Sequence, residues 1–198
     1  MAEVAYEVYN RNKRSMTINL RSEIGRNISC KLVESADVIV EGFRPGVMKR
    51  LGIDYDAIKE LNPRIVYCSM SGFGQDGPYA DLPGHDVNYI SIAGLLSMIG
   101  VRRGPPVIPM NFLADWAGAA DSAVMGILIA IIARQKDDLG QYIDISYLDA
   151  SMDLLVLWST ITLISERPII EEKPHLKTAS TSASAVLNHI SGRIFAAF

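Results

Sequence analysis

The sequence predicts an α/β fold: a Rossmann-like parallel sheet flanked by helices. Three observations carry this. Residues 37–41 (DVIVE) and 65–69 (IVYCS) are short β-branched runs, separated by helix-like segments in a βαβ rhythm. After the second run comes a Gly/Pro-rich loop, residues 71–84 (SGFGQDGPYADLPG). Such loops at the carboxyl ends of parallel strands are where these folds bind ligands. The composition suits a packed core, with 49% hydrophobic and 21% charged residues in a chain of 198.

In chain order, Ser22 is suited to cap a helix whose apolar face carries Ile24, Ile28, Leu32 and Val33. The run at 37–41 then reads as a buried strand. Pro45 fits the first turn of a short helix reaching Leu51. A second short helix covers 55–61 and is stopped by Asn62 and Pro63. After the strand at 65–69 and the loop, residues 87–99 are apolar enough for a buried helix, and 100–110 form another Gly/Pro loop. A long helix is predicted over about 115–136, a strand over 141–146 and a last helix over 148–165. Residues 171–184 are polar and Ser/Thr-rich, with no element predicted, and no repeat stands out.

Composition also excludes. Nineteen Lys and Arg against 22 Asp and Glu leave a net charge of −3. A chain that grips a phosphate backbone needs a basic surface, so nucleic acid is not an expected partner. Low net charge with a high apolar content excludes a disordered chain. The longest uncharged apolar runs, 122–133 and 154–165, fall short of the about 20 residues of a membrane span, and both read as buried core helices. Residues 1–15 lack the apolar core of a secretory signal, so a cytoplasmic location is expected. Cys30 and Cys68 belong to no CxxC or Cys/His cluster, so no metal site is expected, and both read as small buried residues.

Several positions could carry chemistry. The glycines of residues 72–78 (GFGQDGP) only loosely match a dinucleotide-binding spacing, and Pro78 blocks direct entry into a helix. His85 precedes a predicted helix. There it is either a loop histidine or a base, since a helix N-terminus favours neutral imidazole. Asp86 beside it suits an N-cap. Asp115, bracketed by apolar residues, is either a cap or a functional carboxylate at a helix start. Arg11, Lys13, Arg14, Arg21 and Lys49 suit a solvated surface. Arg44 and Arg50, just past a strand, suit an anionic ligand.

Six ordered runs make a family visible: 10–20 (NRNKRSMTINL), 41–52 (EGFRPGVMKRLG), 71–78 (SGFGQDGP), 84–89 (GHDVNY), 105–118 (PPVIPMNFLADWAG) and 140–146 (GQYIDIS). Across about residues 10–165 the chain resembles the family III CoA-transferase superfamily of the CaiB/BaiF type, and its α-methylacyl-CoA racemase branch most closely. The resemblance implies that the acid/base pair is His85 and Asp115. In the transferase branch the position of Asp115 supplies the nucleophile, and the histidine is typically absent. By the same resemblance, CoA is held by Ile18, Asn19, Leu20, Arg21, Gly42, Phe43, Arg44, Arg50, Gly84, His85, Asp86, Val87, Asn88 and Tyr89.

The implied reaction inverts the α-carbon of a 2-methylacyl-CoA through an enolate. It calls for no cofactor beyond the coenzyme A of the substrate itself. The alternatives are a CoA-transferase working through an aspartyl-CoA thioester, and an inactive CoA-binding fragment. The resemblance also implies a partial chain. Residues 1–165 read as the CoA-binding core of the family's large domain, incomplete at its start, and 166–198 as an unassigned tail. The family's small domain and leading strand–helix–strand are not recognised, although residues 174–179 (PHLKTA) are similar to its returning C-terminal segment. In full-length form the family implies a homodimer.

Overall fold

The computed structural model describes residues 7–101 and 104–165. The tail from 166 onward, including the segment at 174–179, lies outside the described residues. Among these residues the sheet has three parallel strands in the order β1-β2-β3: β1 (Val38–Glu41), β2 (Val66–Ser71) and β3 (Tyr142–Ser146). The predicted α/β architecture is therefore the one observed. β2 is central and buried almost throughout, as expected of a strand paired on both sides. β1 is only half-buried, because it is an edge strand here, and Val40 is exposed.

Helix α1 (Glu23–Val33) starts where expected, with the Ser22 Oγ accepting the Gly25 N–H at 3.1 Å. Its inward face is not the predicted one. Val33 is buried, but Ile24 (74% exposed), Ile28 and Leu32 face outward. Its C-terminal end is held by a side chain from the end of a later helix. The Asn62 side-chain amide donates to the Val33 carbonyl at 2.9 Å and to the Ala36 carbonyl at 3.0 Å. Val33 joins Ile53, Ile58, Ile65 and Tyr67 in the first core cluster. Two short helices follow, α2 (Val47–Leu51) and α3 (Tyr55–Leu61). Pro45 lies ahead of the Gly46 cap rather than inside the first turn of α2, and α3 stops at Asn62 as predicted.

The second half departs further. The helix expected over 87–99 is α4 (Asp86–Ile92) and a 3-10 turn (Leu95–Met98), with Gly94 between them. The long helix expected from about 115 begins earlier, as a π-helical segment (Phe112–Ala120) running into α5 (Asp121–Asp137). The last predicted helix is two, α6 (Tyr147–Asp153) and α7 (Val156–Ser165), bent by 69° where Leu155 turns into the core.

The apolar runs expected to be core helices are mostly exposed. In α5 only Ala123, Ala130 and Arg134 are buried, while Ile129 is 66% exposed. In α7, Val156, Leu157, Leu163 and Ile164 are all exposed. These helices are apolar on every side, and a sheet face can cover only one stripe of such a helix. The π-helical segment and α5 together run for 26 residues, long and apolar enough to cross a membrane by length and composition. Their inward stripe, Ala114, Gly118, Ala119, Ala123 and Ala130, packs inside the fold. Cys68 is buried as expected, whereas Cys30 is only partly so.

Candidate functional site

At the carboxyl end of the sheet is a cavity of about 610 Å³. Each strand sends residues to it. Gly42, Phe43, Arg44 and Pro45 follow β1; Met70, Ser71 and Gly72 end β2; Tyr147 follows β3. The loop after β2 adds Ala80 and residues 82–85, α4 adds Tyr89, and the π-helical segment adds Asp115, Trp116 and Ala120. Ligands bind at this end of a parallel sheet because loops and helix N-termini converge there.

The loop between β2 and α4 is anchored by a polar row across the sheet. Glu41, Ser69 and Asp144 are register neighbours on the three strands. Ser69 Oγ donates to Glu41 Oε1, and the Gln75 side-chain amide donates to Ser69 Oγ at 2.9 Å. The Gln75 N–H donates to Asp144 Oδ2 at 3.3 Å. No helix follows this loop until α4, so its glycines do not start a dinucleotide-type helix.

Tyr89 pins both ends of the loop. It is buried, edge-on to Phe73 at 5.2 Å and 5.4 Å from Tyr147. A Cβ at Gly72 would lie 2.6 Å from its hydroxyl, and one at Gly84 would lie 2.5 Å from its ring. Only glycine admits so close an approach at these two positions.

His85 is the N-cap of α4, in extended conformation, with its ring exposed at the cavity. Its N–H donates to Asn88 Oδ1 at 2.9 Å. The structure corrects the reading of Asp86 as that cap. Asp86 is the first residue of α4, only 3% exposed, and its carboxylate turns away from its own helix. Oδ2 accepts the N–H groups of Ala114 at 2.7 Å and Asp115 at 3.0 Å. A residue 29 positions upstream of Asp115 thus holds its backbone.

Asp115 stands in the first turn of the π-helical segment. Burial raises its carboxyl above the ordinary carboxylate range. A 3.3 Å hydrogen bond from the Asn111 side chain opposes that shift, the Asp86 carboxylate adds to it, and His85 opposes it. π-Helical turns recur at functional sites. Beside it Trp116 lines the cavity and stacks against Tyr9 at 5.2 Å.

Of the positions singled out in the sequence, Gly42, Phe43, Arg44, Gly84, His85, Tyr89 and Asp115 line one cavity. Val87 and Asn88 sit on the first turn of α4 beside it. Ile18, Asn19, Leu20 and Arg21 do not line it. They lead into α1, where Asn19 Oδ1 accepts the Arg21 N–H at 3.1 Å and Leu20 packs on the first core cluster. Arg50 is exposed on α2 and also lies outside the lining. Lining residues not singled out as site candidates include Ser71, Trp116, Ala120 and Tyr147. Ser71 and Tyr147 end or follow strands at the carboxyl edge, and that rule alone could have found them. The Ser71 hydroxyl is buried at the cavity without a protein partner among the described residues, so a polar ligand atom can pair with it.

Comparison with known proteins agrees with this geometry. A profile described as CoA-transferase family III matches residues 1–186. The chain is 41% identical over 166 residues to an acyl-CoA transferase of Fusarium pseudograminearum, covering 82% of this chain and 36% of that protein. It is 38% identical over 151 residues to the α-methylacyl-CoA racemase of Homo sapiens, covering 76% and 40% respectively. A crystal structure of a CAIB/BAIF family protein from Brucella suis superposes with a TM-score of 0.75 at 34% identity, covering 80% of this chain and 42% of that one. The chain thus spans about two fifths of the length of the proteins it matches. With the profile covering most of the sequence, and four of the six runs reaching one cavity, the chain belongs to CoA-transferase family III.

Proposed function

We propose that this chain carries the acyl-CoA site of a racemase that inverts the α-carbon of a 2-methylacyl-CoA. The observation that carries the reading is the meeting of His85 and Asp115 in one cavity, with the Asp115 carboxyl raised above the ordinary carboxylate range by burial. Inversion needs a base on one face of the α-carbon and an acid on the other. Neutral His85 takes the α-proton, the C–H electrons move to the thioester oxygen, and protonated Asp115 returns a proton to the opposite face. The reverse direction uses the pair in its other protonation state.

The enolate oxygen needs donors during the step. The Asn88 and Tyr89 N–H groups turn back on the His85 carbonyl, which leaves the first N–H groups of α4, those of Asp86 and Val87, to meet the ligand. Aimed at that oxygen, each such donor is worth about 3–4 kcal/mol. Arg44 at the cavity wall matches the phosphates of coenzyme A, which the substrate carries as its handle. The thioester itself acidifies the α-proton.

A second reading has support in the names of other relatives. An acetyl-CoA:oxalate CoA-transferase of Acetobacter aceti is 38% identical over 151 residues. On that reading the Asp115 carboxylate attacks the acyl carbon and expels CoA thiolate, giving a mixed anhydride. The thiolate then attacks the aspartyl carbonyl, releasing the carboxylate product and leaving aspartyl-CoA.

Solvent-deuterium incorporation at the α-carbon of a 2-methylacyl-CoA, read by mass spectrometry, separates these. The racemase reading expects incorporation that vanishes in Asp115→Asn. Hydroxylamine trapping of an acyl-Asp115 adduct without incorporation selects the transferase. Tight CoA binding with neither leaves a binding domain.

A further inference from the structure

We infer that Asp86 is the positioning residue of this site: its buried carboxylate grips the backbone of the π-helical segment and sets where Asp115 stands relative to His85. The inference rests on the reading of His85 and Asp115 as the proton-transfer pair. The first N–H groups of a helix have no partner within it and are usually satisfied by a nearby cap. Here the local cap fails. Asn111, at the cap position, makes no capping bond, and its side chain donates to Asp115 Oδ2 instead. Asp86 supplies the missing acceptor from 28 and 29 residues upstream, taking the Ala114 and Asp115 N–H groups on one oxygen. Hydrogen bonds to a charged acceptor are the strong ones.

The grip spans the site. Asp86 is the residue after His85 and the first of α4. One side chain therefore ties the helix start that presents His85 to the helix start that presents Asp115. Its other oxygen, Oδ1, is buried without a protein partner among the described residues. Burying a carboxylate this incompletely paired is costly, and an ordinary surface cap would avoid that cost. Besides burial, the groups that act on the Asp115 carboxyl are the Asn111 amide from its own turn and Asp86 and His85 from the start of α4; Tyr89 from α4 and Tyr147 from α6 face it, and burial together with its charge raises both phenols. Arg44 lies in the same cavity.

The test compares the full chain with Asp86→Asn and Asp86→Ala, using NMR hydrogen exchange at the Ala114 and Asp115 amides and carboxyl-detected titration of Asp115. In Asp86→Ala the two amides should exchange at least about tenfold faster. In Asp86→Asn the amide oxygen still accepts, so protection persists, but the Asp115 midpoint falls because a neighbouring negative charge is gone. A carboxylate that only filled space away from Asp115 would leave that midpoint where it is. α-Deuterium incorporation should fall from wild type through Asn to Ala. Unchanged protection in Asp86→Ala, or an unmoved Asp115 midpoint in Asp86→Asn, overturns the inference. If Asp86→Ala does not fold by circular dichroism, the midpoint in Asp86→Asn decides. If wild type shows no incorporation while amides and midpoint respond as expected, the racemase reading fails and the grip of Asp86 on Asp115 stands.

Discussion

Two regions of the molecule use apolar residues in opposite ways. Around the cavity, α4, the π-helical segment and α6 bury small and aromatic side chains against each other: Tyr89, Ile90, Ala114 and Leu148 are all buried. On the outside, α1, α5 and α7 present Ile24, Ile28, Leu128, Ile129, Leu163 and Ile164 to solvent. The first region is held by particular contacts, such as Tyr89 between two glycines and Asp86 on two amides. The second has composition without partners among the described residues. A hydrophobic pattern in a sequence states that a surface is apolar; it does not state what covers it.

That contrast can be broken at four points. The largest effect is expected at the site. His85→Ala and Asp115→Asn should each lower α-deuterium incorporation by about 10²–10⁴-fold, the usual worth of a general acid or base. Circular dichroism should show both variants folded, since His85 is exposed and Asp115 only partly buried. Equal incorporation in the variants would move the chemistry elsewhere.

Next comes the packed side. Gly84→Ala pushes a methyl into the Tyr89 ring and should cost about 1–3 kcal/mol in denaturant unfolding, with weakened CoA binding by calorimetry. Wild-type stability would show that the loop gives way.

A smaller effect separates stability from chemistry at Asp115. Its carboxyl is raised in the folded protein, so the folded state prefers the protonated form. Stability is fully present below the unfolded value and is lost as pH rises through the higher folded value. Asp115→Asn removes that loss, and should melt above wild type at neutral pH and level with it in acid. Parallel melting curves at every pH would remove burial as the cause of the shift.

The smallest effect is expected outside. Ile129→Lys on α5, and likewise Ile24→Lys on α1, should stay within about 0.5 kcal/mol of wild type. A drop of several degrees in melting temperature would reveal that the face is covered.

The sequence made much of the inner region legible. Both β-branched runs are strands, Ser22 caps α1, and Asn62 ends α3. These features rest on neighbours a few residues apart, which a sequence displays. His85 and Asp115 do line one cavity, and there the family's runs were the guide rather than any spacing. The role of Asp86 was illegible, because its partners lie nearly thirty positions downstream and its charge looks like any N-cap. The facing of α1 was misread for the same reason: the residues that cover Val33, namely Ile53, Ile58, Ile65 and Tyr67, all lie well downstream. The π-helical turn was read as plain α-helix, since periodicity over nine residues does not separate the two.

The parallel pairing of β2 with β3 has a consequence for how the site is made. Tyr67 pairs with Tyr142 across about 70 intervening residues, a separation that makes the contact entropically slow to form. β1 and β2 can find each other early, and with them one wall of the cavity. Tyr147, which follows β3, reaches the cavity only when the last strand docks. Before that strand docks, the β1–β2 side of the cavity can stand without its Tyr147 side. Ligand present at that stage would meet an incomplete cavity, and binding would report the final strand's arrival.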